Sequence, residues 1–295
     1  MSKKQQNFTN KIKQDLTMRV IAMMENAELM GTPWSMETFG VKSGLHFNAK
    51  TNHVFQGANQ LICLLSGFSD ARWFTKKDIF SKENDLRLKK GSKCTYLLKP
   101  VPAKSTVETE KDGETKKEVK QWTNFIPIPY WNAEQLENPP VIEMPEVKEF
   151  SVINNAENFK AKMLKNGQDL RYTDNAKYFY SPKGDFISML RPELFGDNID
   201  FYSTYLHETA HWSGHETRLN RNLTSIQKSD YAFEELIAEL FATFQCSILG
   251  LEKTPRADHA KYLKSWIKCL KDNYNLLWKA SSQAFDIVRY CDNLK

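Results

Sequence analysis

Tyr205-Leu206-His207-Glu208-Thr209-Ala210-His211-Trp212-Ser213-Gly214-His215 is the stretch whose reading decides the rest. His207 and His211 are four apart, so on a helix they sit one turn from each other on one face. Two imidazoles so placed can hold one zinc ion, with Glu208 beside them to take a proton from a metal-bound water. Zinc lowers the pKa of such a water to roughly 7, which makes hydroxide available at neutral pH. The pattern fixes only three residues of five, and an ordinary surface helix could carry two histidines. Against that, three of the six histidines fall between positions 207 and 215. Ile199, Tyr202, Leu206, Ala210 and Trp212 also recur at helical spacing, which predicts a packed helix.

A hydrolytic zinc site needs a third protein ligand and one position left open. The sequence predicts a second helix from Asp230, a good N-cap, to Gly250, a good C′ residue. Phe233, Leu236, Ile237, Leu240, Phe241, Phe244 and Ile248 form its broad apolar face. Glu235 lies nearly opposite, among Ala238, Ala242 and Cys246, small residues that let another helix approach closely. Glu239 follows one turn later, whereas Glu234 falls toward Gln245 on what reads as the most polar side. Glu235 is therefore the expected third ligand, and Glu239 is expected to orient a ligand histidine through its free ring nitrogen. His215 competes for the ligand role, but Gly214 is expected to end the first helix and turn it away.

Working outward, the 295 residues suffice for one or two domains with a substantial core. No run of 18 apolar residues suggests a membrane span. The polar start Met1-Ser2-Lys3-Lys4-Gln5-Gln6-Asn7 does not read as a secretory signal. Five scattered cysteines without a CxxC pair read as reduced thiols of a cytoplasmic protein. The net charge of +5 is uneven: residues 1–140 carry 21 Lys and Arg against 15 Asp and Glu, and the remainder is close to neutral. That bias suits binding to a phosphate backbone.

Within the basic half, Phe8 to Leu29 has helical periodicity and stops at Gly31-Thr32-Pro33, with Trp34 in a loop. Gly57-Ala58-Asn59 leads into a short buried helix closed by Ser66-Gly67. Phe68 to Ile79 interleaves Arg72, Trp73, Phe74, Lys76 and Lys77, and Lys89-Lys90-Gly91-Ser92-Lys93 forms a basic turn before a strand at 94–98. Residues 104–120, nearly all polar or charged, read as a solvated hairpin loop before a strand from Trp122 to Tyr130. Aromatics among cations are the usual apparatus for single-stranded nucleic acid, rings stacking on bases while cations follow the backbone. Trp73 reads equally well as a core residue whose lysine neighbours merely solvate the rim.

Several words of the sequence go further. Gly31-Thr32-Pro33-Trp34, Gly57-Ala58-Asn59, Gly67-Phe68, Arg72-Trp73-Phe74-Thr75, Lys89-Lys90-Gly91 and Trp131-Asn132-Ala133-Glu134-Gln135 resemble the N-terminal domain of the ArdC antirestriction family, shared with TraC-type primases. Phe179-Tyr180-Ser181-Pro182, the 205–215 stretch, Arg218-Leu219-Asn220-Arg221 and Glu234 to Leu240 resemble the zincin-like metallopeptidase domain that follows it. The resemblance implies a plasmid- or phage-borne protein that binds single-stranded DNA on entry and counters host restriction. From the basic aromatic segments and these words together, the residues expected to bind DNA are Trp34, Asn59, Arg72, Trp73, Lys76, Lys77, Lys89, Lys90 and Lys93. This chain departs from the family at Thr209, where an apolar residue is usual, and at the insertion 104–120.

Pro139-Pro140 and the acidic stretch to Glu149 read as a linker, which gives domains at 1–140 and 150–295. In the second, 150–170 reads as a helix, and 178–189 as two short strands around Pro182-Lys183-Gly184-Asp185. Segment 187–190 is expected to be an edge strand holding an extended peptide beside the metal helix. Two helices behind the site are expected from Trp266, Leu270, Tyr274, Leu277, Trp278, Phe285, Ile287 and Val288. The expectation is an α+β protein of two domains, the first binding single-stranded DNA, the second a zinc peptidase acting on a host protein or peptide through Glu208. Its alternative is a DNA-coating protein with a structural or vestigial zinc site. Metal-dependent DNA hydrolysis fits less well, because two histidines and one glutamate suit zinc and a carbonyl better than the paired oxygen-ligated ions of nucleases.

Overall fold

The computed structural model describes residues 3–30, 45–81, 86–111, 114–140, 149–173, 178–195, 198–221, 223, 228–251 and 260–295. Trp34 and the expected linker from 141 to 148 lie outside them. The chain forms an N-terminal α+β domain followed by a mainly helical domain with a small sheet. The first contains α1 (Lys3–Met30), β1 (Phe47–Asn48), α2 (Ala58–Leu64), β2 (Arg72–Thr75), α3 (Lys76–Ile79), β3 (Thr95–Lys111) and β4 (Glu114–Asn132). The second contains α4 (Glu149–Lys165), β5 (Asp169–Thr173), β6 (Phe179–Ser181), β7 (Phe186–Leu190), α5 (Asn198–Ser213), α6 (Lys228–Leu249), α7 (Ala260–Asp272) and α8 (Asn275–Asn293).

The N-terminal sheet has the order β1-β2-β4-β3. Strand β2 is interior, and successive side chains of a strand leave opposite faces. Trp73 accordingly enters the main core, whereas Phe74 enters a satellite cluster with Ile79, Ala133 and Leu136. The main core is continuous between the domains, running from Leu16, Val20 and Met24 of α1 through Leu61 and Trp73 to Leu277 and Phe285 of α8. A polar link follows the same contact, Thr17 Oγ1 donating to Tyr274 O at 3.0 Å, while within the first domain Thr9 Oγ1 donates to Phe125 O at 3.0 Å. Gly57 precedes α2 at φ +54°, a conformation that a side chain would strain.

Two expectations are corrected. Segment 104–120 is not a loop: β3 and β4 stay paired through it as a two-stranded ribbon, in register as far as Lys111 and Glu114. Each strand of such a ribbon pairs one backbone edge with its partner, and a stretch so rich in charged residues offers no apolar alternation from which that pairing could be read. Segment 187–190 is not an edge strand either. The second sheet has the order β5-β7-β6, so β7 is central, parallel to β5 and antiparallel to β6. Ile187, Ser188, Met189 and Leu190 are all buried, as a strand covered on both faces requires. Strands β6 and β7 both pack on α5 and so fix one side of the histidine helix.

Candidate metal centre and basic surface

Helix α5 is buried along nearly its whole length, from Phe201 to Ala210. Thr209, unusual at its position, is satisfied there: its hydroxyl donates to Tyr205 O at 2.8 Å and accepts from Gln168 Nε2 at 3.2 Å. Helix α6 packs against α5, α7, α8 and α4. It ends at Leu249 with Gly250 at φ +75°, the left-handed geometry of a C′ residue.

Between α5 and α6 four side chains converge. His207 Nε2 and His211 Nε2 are 3.1 Å apart. Glu235 Oε2 lies 3.4 Å from His207 Nε2, and its Oε1 lies 3.6 Å from His211 Nε2. Glu239, wholly buried, places Oε2 3.7 Å from His207 Nδ1, behind the ring. Glu208 is buried next to His207. Ligands about 2.0–2.1 Å from a tetrahedral ion sit about 3.3–3.4 Å from one another, so this spacing of two nitrogens and a carboxylate fits one divalent cation. His215, by contrast, lies past the end of α5, half-buried and with Nδ1 2.9 Å from Thr217 Oγ1.

Glu234 requires another correction. It does not lie on a polar outer face but is buried, with Oε1 3.3 Å from His211 Nδ1. A carboxylate can only accept there, so Nδ1 carries the proton and the Nε2 lone pair is left facing Glu235 and His207. Arg221 grips the same carboxylate in a fork, Nε to Oε2 at 3.0 Å and Nη2 to Oε1 at 2.8 Å. Its Nη2 also donates to Ala210 O at 2.6 Å, and its Nη1 to Ser213 Oγ at 3.0 Å, which ties the fork to the C-terminal end of α5. Burial alone would push the His211 pKa down, but Glu234, Glu235 and Glu208 outweigh it and the net shift is upward. Burial would likewise raise Glu234, but the hydrogen bonds from His211 and Arg221 hold it below the usual carboxylate range. Sequence reading missed Glu234 and Arg221 in these roles. The one signal was that Arg218-Leu219-Asn220-Arg221 stands among the family words.

Beyond the fork, Arg218 joins the β6–β7 turn to the end of α5. It pairs with Asp185, donates from Nε to Trp212 O at 2.7 Å, and lies 4.2 Å from the Trp212 ring centre.

The expected DNA-binding residues divide sharply. Trp73 has no accessible surface, its Nε1 donates to His46 Nδ1 at 3.0 Å, and Phe68 meets it edge-on at 5.7 Å. It has no face open to a base. Asn59 is committed to the backbone of Leu98, accepting from its N at 2.8 Å and donating to its O at 2.9 Å. The Arg72 guanidinium is held by Asp70 at 2.6 Å and by the carbonyl of Pro140. Lys76, Lys77, Lys89, Lys90 and Lys93 are exposed.

Comparison with known proteins matches residues 10–128 to the N-terminal domain of the anti-restriction factor ArdC, and residues 154–283 to the zincin-like metallopeptidase domain. A DNA primase TraC of Escherichia coli is 30% identical over 268 residues, covering 85% of this chain and 24% of the primase. A second TraC primase is 27% identical over 291 residues, 91% of this chain and 19% of that protein. The uncharacterised protein y4eC of Sinorhizobium fredii is 33% identical over 159 residues, 54% of this chain and 50% of its own length. The chain thus spans half or less of these relatives. The metal-free crystal structure of the antirestriction protein ArdC from plasmid R388 superposes with a TM-score of 0.68 at 27% identity, over 95% of this chain and 96% of that one. The Mn(II)-bound structure of the same protein gives 0.67 at 27% identity, over 96% and 99%.

Proposed function

Because the chain belongs to the ArdC-like antirestriction family, an ArdC-type N-terminal domain followed by a zincin-like metallopeptidase domain, we propose that it shields single-stranded DNA through the first and hydrolyses peptides at the second. The observation that carries the second half is the convergence of His207, His211 and Glu235 with Glu208 beside them. We assign the first three as ligands of one divalent ion, zinc by donor set. The R388 protein has a Mn(II)-bound structure, and the Glu235 carboxylate is the donor here that suits that ion. When bound, the ion supplies Lewis acidity to a carbonyl oxygen and to water. The chain's own residues do the rest. Glu208 takes a proton from the attacking water and returns it to the departing amine nitrogen, a role worth about 10²–10⁴-fold in rate. Glu239 and Glu234 orient the two imidazoles from behind, so that both Nε2 atoms converge on Glu235.

For the DNA-binding half, support comes from the exposed lysines and from primase relatives that share this domain. Protection by shielding does not require the base in the other domain. In a transfer assay of unmodified DNA into a restricting host, Glu208→Gln is therefore expected to protect as the wild type does, and Lys89→Ala/Lys90→Ala to fail. Loss of protection in Glu208→Gln with full protection by the lysine variant would instead make proteolysis the protective act. No helix among the described residues is long and apolar enough to cross a membrane.

A further inference from the structure

With Trp73 in the core, an aromatic for single-strand binding has to come from another described residue. Phe80 supplies one. Thr75 and Asp78 cap α3 reciprocally: Thr75 N donates to Asp78 Oδ2 at 2.8 Å, and Asp78 N to Thr75 Oγ1 at 3.3 Å. The short helix then closes with Phe80 N donating to Lys76 O at 3.0 Å. Consecutive helical side chains diverge by about 100°. Ile79 is therefore buried in the satellite cluster while Phe80, next in the chain, is 64% exposed, the largest exposure of any large hydrophobic residue described.

The basic turn is fixed to that same cluster. Leu86 and Leu88 pack on it, and Lys89 N donates to Gln135 O at 2.9 Å. Lys89 Nζ reaches Glu134 O at 2.8 Å, and Gln135 Nε2 donates to Lys93 O at 2.9 Å. The cluster thus carries Phe80 and the lysines of both segments on one small scaffold. Among the described residues, Asp78 is engaged by Thr75, and Glu134 by the backbone N–H groups of Ser69 at 2.6 Å and Asp70 at 2.8 Å. Among the described residues no carboxylate pairs with Lys76, Lys77, Lys89, Lys90 or Lys93. A lone exposed phenylalanine would signify nothing. One that follows two exposed lysines on α3, with a second basic segment packed on the same cluster, has the composition of a single-strand platform.

We propose that Phe80 stacks on an unpaired base while the phosphates on either side run along Lys76, Lys77, Lys89 and Lys90. The proposal rests on the DNA-shielding function above and names the surface that performs it. Only an unpaired strand can offer a base face to Phe80, whereas the lysines attract any phosphate backbone; the ring is thus what favours single strands over duplex.

The full chain, titrated against a fluorescent thymidine oligonucleotide, tests this by anisotropy. Phe80→Ala is expected to weaken binding roughly 5- to 150-fold, the usual range for one lost base–aromatic stack. Duplex binding should stay unchanged, and Phe80→Tyr should restore single-strand affinity. Trp122→Ala serves as the comparison, since Trp122 is an exposed aromatic at the base of the ribbon, away from α3 in sequence. Wild-type affinity in Phe80→Ala, or an equal loss for single strands and duplex, would overturn the stacking assignment and leave the DNA-shielding function standing. If the wild type itself binds no single strand, that function falls and the assignment with it.

Discussion

Glu235→Ala is expected to leave the purified protein without bound divalent metal. The wild type should retain about one ion per chain after dialysis, measured by elemental analysis. His207→Ala should behave like Glu235→Ala, because either change leaves two donors where a stable site needs three. Glu239→Ala is different: it removes the carboxylate behind His207 but none of the three converging donors. Its expected effect is a 10–100-fold loss of affinity, typical of an outer partner of a metal-bound histidine. Raising the metal concentration should refill Glu239→Ala and not Glu235→Ala. Full occupancy in Glu235→Ala would remove Glu235 from the ligand set.

The second large effect is expected at Glu234. Its side chain and that of Arg221 are 8% and 9% exposed, so the pair is shielded from water. Glu234→Ala would leave the Arg221 guanidinium buried without its carboxylate, a loss of about 3–5 kcal/mol when one partner of a buried pair is removed. A shift of the urea midpoint measures it. The loss should be well above the 0–1 kcal/mol of a surface pair. Replacing both members with apolar residues, Arg221→Met/Glu234→Leu, should restore much of the stability, because no uncompensated charge remains. Metal affinity should stay weakened in the double variant, because His211 Nδ1 still lacks its acceptor. Recovery of both properties together would show that the fork holds the helices and has no part in orienting His211.

These two glutamates mark where the sequence was legible and where it was not. Counting angles around α6 put Glu235 and Glu239 on a common small-residue side, and both lie within 3.7 Å of an imidazole nitrogen. The same count misplaced Glu234, because it assumed that the side opposite the apolar face meets water. Helix α6 is covered by several elements, so its polar side chains face partners brought from elsewhere, here Arg221 from the loop after α5. That partner is distant along the helix count and invisible to it. Trp73 failed as a surface residue for a related reason. Arg72-Trp73-Phe74-Thr75 reads as aromatics among cations, but in an interior strand with a hydrophobic cluster on either face both aromatics are buried. The ribbon at 104–120 failed in the opposite sense: its nearly all polar sequence carries no periodic apolar signal, and only the ladder shows it to be strand. Helices α1, α7 and α8 were legible because their apolar stripes are long and buried against one another.

Peptide hydrolysis with and without the base tests the central claim most directly. Wild type and Glu208→Gln, each loaded with zinc or with manganese to equal occupancy, are incubated with a proteome-derived peptide library, and new termini are read by mass spectrometry. The expected result is cleavage by the loaded wild type, lost on chelation, and at least about 100-fold less cleavage by Glu208→Gln at the same metal content. Equal cleavage by both proteins, or none by the wild type with either metal, would contradict a peptidase in which Glu208 moves the proton.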